Sequence, residues 1–398
     1  MSTRSYPLAR DRSGNVTVLS ALLLIVFMGL VAFSVDLGYL VNSKAELQRT
    51  ADAAALAAAA DLVYKGVPGT PVNLTANIAS AQSDATVYAS RNHVCSTSPE
   101  LGSSGGVVVG YMANPRAAGA AMDFSNPNQF NAVQVTVNRN DQENGRVPYF
   151  FAKVFGLNGQ AASAQATAAL INNVAGFQTP SGPAGSYNLP ILPFAEDTVT
   201  VNDLLSGSYT AANGAAVGLT DNWSWNAASQ QVTSGPDGIL EFNLFPQGTG
   251  SPGNRGTVKI GTSNNSTATV VQQILNGISA SDLSYYPNNT LSLNAQGVLV
   301  LPGNPGISAG FKSALASIVG QTRLIPVFST VTGNGNNAQF TIVQWFGIRV
   351  LDVNLTGSMS SKHLTVQPAN VFVKGGMVPS TSGTQTSYAV YSPAWLVK

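Results

Sequence analysis

The sequence predicts an α+β protein: an N-terminal transmembrane helix continues into an Ala-rich stalk helix, and β-rich exterior domains follow. Three observations predict it. Val16 to Val35 (VTVLSALLLIVFMGLVAFSV) runs 20 residues without a charge. Asp36 to Tyr64 follows without a proline and is dominated by helix-favouring Ala, Leu, Glu, Lys, Gln and Arg. The whole chain holds 39 Gly and 21 Pro, nearly all of them beyond Tyr64 among short apolar runs, the pattern of strands joined by turns.

Composition bounds what such a chain does. With 398 residues, 44% of them hydrophobic, there is enough apolar side chain for more than one core. Only 9% of the residues are charged, against roughly 25% in an average soluble protein, so the surface draws its polarity from Asn, Ser, Thr, Gln and Gly. Nineteen basic residues against 18 acidic ones leave a net charge of +1, and nucleic acid is not an expected partner.

At about 1.5 Å per residue the uncharged run spans the roughly 30 Å hydrocarbon core of a bilayer. Val16, Leu19, Leu22, Leu23, Leu24, Ile25, Phe27, Met28, Leu30 and Phe33 are its membrane-anchoring side chains. Arg4, Arg10 and Arg12 precede it and Asp36 follows, so the positive-inside rule keeps residues 1–15 in the cytoplasm and sends the rest outward. The rival reading is a cleaved signal peptide. Against it, the run exceeds the 7–15 residues usual for such an apolar core, and no polar segment with a small-x-small site follows. No later run approaches 18 apolar residues, so the lipid bilayer is crossed once.

The stalk, residues 36–66, places Leu40, Leu47, Ala51, Ala54, Ala58 and Leu62 at spacings of three, four and seven, a narrow seam of mostly small side chains. Such a seam serves either to pack on the chain's own exterior domain or to meet a partner helix, a second copy included. Gly66, Pro68 and Gly69 are placed to end the helix.

The residues from Gly14 to Ala60 also carry a resemblance. The SGNVTVLSALLL start, the membrane exit with Asp36 and Gly38, and the AELQRTADAAAL stretch with Leu47, Gln48, Ala51, Asp52, Ala53, Ala54 and Ala55 resemble the N-terminal segment of TadE/TadG-like proteins of bacterial Tad (Flp) pilus assembly. Further on, NAVQVTVN (Asn131 to Asn138), RVPYFFAKVFGLNG (Arg146 to Gly159) and ASAQATAAL (Ala162 to Leu170) look like the module found after that anchor. The residues read the same way unaided: Val133, Val135 and Val137 alternate as in a strand, Phe150, Phe151, Val154 and Phe155 suit one face of a short helix, and Gly156 is placed to stop it. The expectation is a small α+β domain over residues 67–175. The resemblance implies a single-pass protein of the cytoplasmic membrane that works with other Tad pilus-assembly proteins. Relatives named TadG often bear a von Willebrand factor A domain, whose metal motif is Asp-x-Ser-x-Ser. In DVNLTGSMS (Asp352 to Ser360), Asn354 falls where the aspartate belongs, and no metal is expected.

Residues 176–186 read as a Gly/Pro/Ser-rich linker, and 187–398 as a second exterior domain. Strands are expected at Thr198 to Val201, Gly238 to Phe245, Thr257 to Ile260, Val298 to Leu301, Leu324 to Val331, Gln339 to Asn354, Leu364 to Val373 and Ser387 to Val397. Helices are expected at Ala268 to Ile278 and at Ala309 to Val319, the second capped by Ser308 and stopped by Gly320. GTGSPG at Gly248 to Gly253 matches a dinucleotide fingerprint, but NRGTVKIG follows it as turn and strand rather than helix.

Catalytic chemistry has little to work with. Cys95 is the lone cysteine, so a disulfide within the chain is excluded and one between chains is the open alternative. His93, near the end of a helix over Thr75 to Asn92, and His363, in a strand or turn, are the two histidines, and neither lies near a GxSxG nucleophile elbow. No catalytic residue, cofactor or metal ligand is assigned. The expected role is a membrane-anchored, non-enzymatic component of pilus assembly or envelope anchoring. The alternative is a secreted or surface-exposed adhesin or glycan-binding module using Trp223 and Trp225 of NWSWN.

Overall fold

A computed structural model describes residues 13–64, 73–103, 105–180, 187–206, 220–245, 256–261, 266–303, 309–358, 361–380 and 384–397. The basic residues 4, 10 and 12, the helix stop at 66–69, the GTGSPG turn and the Ser308 cap lie outside the described residues. The fold is α+β, an apolar N-terminal helix ahead of a β-rich region.

Helix α1 (Ser13–Asp61) is continuous for 49 residues, so the apolar run and the stalk are one rod. The ten anchor side chains named above are between 47% and 66% exposed. From Asp36 onward one face turns inward: Leu47, Ala51, Ala54 and Ala58 are fully buried and Leu62 nearly so. The seam is thus used inside the chain. Asn77 donates to the carbonyls of Asp61 and Val63 at 2.8 Å each, satisfying groups that the helix end leaves open. After it come α2 (Thr75–Arg91), β1 (Val107–Gly110), β2 (Ala132–Arg139), β3 (Val147–Pro148), β4 (Gly159–Gln160) and β5 (Ala162–Ala169).

The chain divides into two compact units, the first made of residues 1–55, 84–108 and 134–166 and the second of 56–83, 109–133 and 167–398. In the first, Arg139 is buried and pins the turns around it, donating to Val94 O (2.9 Å), Asn144 O (2.7 Å) and Gly145 O (3.0 Å). Val133, Val135 and Val137 of β2 alternate inward as their spacing predicts. β1, β2 and β5 pair in the order β1-β2-β5-β20, where β20 is Trp395–Leu396.

The second unit continues with β6 (Gly176–Gln178), β7 (Glu196–Asp197), α3 (Thr198–Ser206), β8 (Trp223–Asn226), β9 (Gln231–Ser234), β10 (Phe242–Phe245), α4 (Thr267–Asn276), α5 (Ala280–Leu283), β11 (Thr290–Ser292), β12 (Leu299–Pro302) and α6 (Lys312–Ala316). It closes with β13 (Thr322–Thr332), β14 (Gln339–Asn354), β15 (His363–Pro368), β16 (Val371–Phe372), β17 (Gly376–Met377), β18 (Ser387–Tyr388), β19 (Val390–Tyr391) and β20. Its axis is β14. One edge of β14 pairs antiparallel with β13 along most of its length, while the other edge serves β12, β18 and β15 in succession. Gly347 sits at the handover from β18 to β15, where a Cβ would stand 2.4 Å from Ala389 O and 2.5 Å from Ala369 O.

Both faces of this sheet are covered, which is why β13 and β14 read as near-continuous apolar runs. One face meets helices: Ile325, Val327, Phe346, Ile348 and Val350 join Val201, Leu204, Val270, Ile274 and Leu315 in one core. The other meets short strands: Leu324, Phe328, Phe340 and Trp345 join Phe177, Leu291, Val371 and Val390.

Several expectations are corrected. Thr198 to Val201 is helix α3, not strand. Asp197 precedes it and accepts from Thr200 N at 2.7 Å and Thr200 Oγ1 at 3.1 Å, and this N-cap overrides the β preference of TVTV. The second predicted helix is a 3₁₀ turn over Ala309–Phe311 followed by the short α6, although Gly320 does hold φ +84°. Gly176 to Gln178, expected as linker, is strand β6 between β11 and β17. Thr257 and Val258 form only isolated bridges, and the last expected strand is broken into β18, β19 and β20.

Trp345 ties the layers together. It is fully buried, lies edge-to-face on Phe177 at 4.9 Å and donates Nε1 to Ala175 O at 3.1 Å. Trp345→Ala is expected to destabilise the chain by about 3–5 kcal/mol, read as a lowered unfolding midpoint of the full-length protein in detergent.

Candidate functional site

Of the motif residues, Asp36 builds a distinct hydrogen-bonded site. At the end of the uncharged run the Asp36 carboxylate, 5% exposed, reaches a loop more than a hundred residues away in sequence. Oδ1 accepts from Phe150 N at 2.6 Å, both oxygens accept from Phe151 N at 3.2 Å, and Oδ2 accepts from Ala152 N at 2.7 Å. Three successive N–H groups at the start of a helical turn otherwise lack acceptors, so one carboxylate satisfies the opening of the 3₁₀ turn Ala152–Phe155. Gly156, at φ +78°, closes that turn and donates back to Ala152 O and Lys153 O. The pair β3–β4 frames the loop, and Tyr149 N donates to Asn158 O at 3.2 Å across it.

Burial acts to raise the Asp36 pKa, but the backbone donors of Phe150, Ala152 and Phe151, with the Lys153 charge, together hold it below the ordinary carboxylate value. Beside it Tyr39 lies edge-to-face on Phe150 at 4.9 Å. The Tyr39 hydroxyl is pushed up to about 12, first by burial and then by its hydrogen bond with Cys95. Cys95 itself is half-buried, with Sγ 3.1 Å from Ser43 Oγ and its backbone N donating to Glu46 Oε2 at 2.8 Å.

The spacing of Phe150, Phe151, Val154 and Phe155 suits one face of a short helix; the structure has a 3₁₀ turn there, with Phe150 packed on Tyr39 and with Val154 (85%) and Phe155 (84%) largely exposed. Between the loop and α1 lies an apolar cavity of about 280 Å³, walled by Phe33, Leu37 and Leu40 on the helix and Phe151, Phe155 and Leu157 on the loop. The available signal was compositional: five bulky apolar residues between Phe150 and Leu157 with Lys153 as the one charge.

The remaining motif residues are structural. Leu47, Ala51, Ala54 and Ala55 are buried, and Ala53 is half-buried. Gln48 donates to Asp52 Oδ1 at 2.8 Å and to Gln165 O of β5 at 3.2 Å, tying stalk to strand. Gly38 is exposed, with open space where a Cβ would stand.

Elsewhere the sequence-marked candidates do not assemble. Trp225 is covered by the Arg349 guanidinium, 3.9 Å from the ring centroid, so its face is not an open platform. His363 Nε2 lies 2.8 Å from Asp352 Oδ2 at the loop end of the β14–β15 hairpin. Asn354 there accepts from Thr356 N (3.1 Å) and Thr356 Oγ1 (2.8 Å). Among the described residues no group of three His, Cys, Asp or Glu side chains is placed to hold a metal. A second cavity, about 360 Å³, is lined by Tyr, Asn and Gln with no charged group. Several of its amides are already engaged, as Asn370 is with Tyr64 O and Asn173 with Thr384 O.

Residues 14–61 match the family described as putative Flp pilus-assembly TadE/G-like, and residues 42–168 match the one described as putative Tad-like Flp pilus-assembly. Among curated proteins and among solved structures, none matches the chain.

Asp36→Ala is expected to speed hydrogen exchange at the amides of Phe150, Phe151 and Ala152 while leaving β14 unchanged, with Asp36→Asn in between. Because the folded pKa lies below the unfolded one, the clamp's contribution is complete above the ordinary carboxylate value of about 3.9 and fades as pH falls through the lowered one. Protection of the same three amides, corrected for intrinsic rate, follows that course.

Proposed function

We propose that this chain, a Tad-like pilus-assembly protein by its residues 14–168, is a single-pass, non-enzymatic assembly component of the bacterial cytoplasmic membrane. Val16 to Val35 crosses the bilayer, the N-terminus stays in the cytoplasm, and the β-rich remainder stands outside as surface for other Tad proteins. The observation that carries this reading is the change in α1 at Asp36. Before it the side chains of an uncharged helix long enough to span are exposed, apart from the half-buried Ala32, and after it one face is buried. A water-soluble protein would bear the free-energy cost of that bare apolar surface.

Two further points support it. The motif residues secure the helix to its own loops rather than building a reactive centre, which fits an assembly family. The small-residue seam is already buried within the chain, so the reading places contacts with other Tad proteins on exterior surfaces. Within that reading residues 67–175 and 187–398 supply the exterior surfaces, and the Asp36 clamp fixes where the folded part begins relative to the membrane.

The test is fractionation with protease accessibility of a C-terminally tagged full-length chain, together with deletion of its gene. Retention in washed membranes at full length, cleavage only from outside the cytoplasm, and loss of pili on deletion are expected. Release as a shortened soluble species, or unchanged piliation, overturns the reading.

A further inference from the structure

Phe150 (54% exposed), Phe151 (47%), Val154 (85%), Phe155 (84%) and Leu157 (57%) form a bare apolar cluster within eight residues. The Asp36 clamp holds their backbone in place, so the cluster is a fixed feature of the fold. Its placement has a direction. The cavity under the loop is shared between Phe151, Phe155 and Leu157 and, on α1, Gly29, Ala32 and Phe33. Gly29 precedes Asp36 by seven residues, about 10 Å along the helix axis. The cavity also reaches Leu37 and Leu40 past Asp36, so the loop lies beside α1 from Gly29 to Leu40 and covers the last two turns of the uncharged stretch.

We propose that Phe150 to Leu157 is a second membrane contact, a wedge seated at the headgroup–acyl boundary of the outer leaflet. Val154 and Phe155 lie among the acyl chains, and the upper segments of those chains fill the cavity against α1. This rests on the reading above that Val16 to Val35 spans the bilayer, because whatever lies beside Gly29 and Phe33 then shares their depth. Side-chain chemistry agrees with the assignment. The one charge in the segment, Lys153, is exposed on a long aliphatic stem that reaches phosphate while its neighbours stay in hydrocarbon. Tyr149 at the loop's start is of the amphipathic aromatic type enriched at that level. Asp36 is tolerable there because backbone donors, not lipid, surround its charge. An apolar turn beside a spanning helix limits the tilt and rotation that a single helix otherwise keeps.

The experiment uses the full-length chain in nanodiscs of phosphatidylcholine and phosphatidylglycerol, with acyl chains brominated or not. Phe33→Cys and Phe155→Cys, each in a Cys95→Ser background, carry a bimane label. At least about twofold quenching by brominated lipid is expected at both positions, as for groups buried roughly 5–10 Å into the boundary. Quenching at position 33 without quenching at 155 overturns the wedge and leaves the anchor standing. Quenching at neither overturns the anchor and the wedge with it. Where Cys95→Ser does not fold, a photocrosslinker encoded at position 155 of the otherwise native chain replaces the label in cells. A lipid adduct then supports the wedge, and a protein adduct in its stead overturns it.

Discussion

The carboxylate of Asp36 is the joint on which the N-terminal unit depends. It sits where α1 changes from a largely exposed rod to a rod with a buried face. By accepting from three consecutive backbone donors it binds that point to the Phe150–Ala152 turn. A carboxylate charge among apolar side chains is unfavourable when bare, and an unsatisfied run of N–H groups is unfavourable when buried. Here each removes the other's cost. The same geometry accounts for the low Asp36 pKa, for the fixed outward set of Val154 and Phe155, and for Tyr39 packing on Phe150.

Past that joint the motif residues do quieter work. Leu47, Ala51 and Ala54 are buried along the stalk, and Gln48 bridges Asp52 and Gln165. Cys95 is held by Ser43 and Glu46 on the same stalk, which makes it part of the helix's lateral support. The larger unit solves a different problem. Its long strand β14 carries two cores, one lined by helices and one by short strands, and its second edge is shared among three partners in turn. Gly347 is needed where that edge changes hands, since two carbonyls stand where a side chain would begin.

Much of this was legible in the residues. Strand β14 is found from Gln339 to Asn354 as its apolar run reads, β2 from its alternation, and α4 from its one-sided Val270 and Ile274. What misled was local preference without its context. TVTV reads as strand until Asp197 caps it, and Gly176 to Gln178 reads as linker until β11 and β17 take its backbone groups. Trp225 reads as an open aromatic until Arg349 covers it.

The sequence alone determined what depends on runs of neighbouring residues. An uncharged stretch of bilayer length, the stalk that continues it, the resemblance of both to TadE/TadG-like proteins, and the mixed α+β class all follow from local pattern. The tertiary structure decided what depends on residues far apart. It decided that the stalk seam is buried within the chain, that Asp36 has the Phe150–Ala152 turn as its partner, and that Phe155 faces outward. Each is a matter of long-range closure: the free energy of burying a side chain or satisfying an N–H is set by the groups that surround it, and separations of a hundred residues leave no periodic trace of which groups those are.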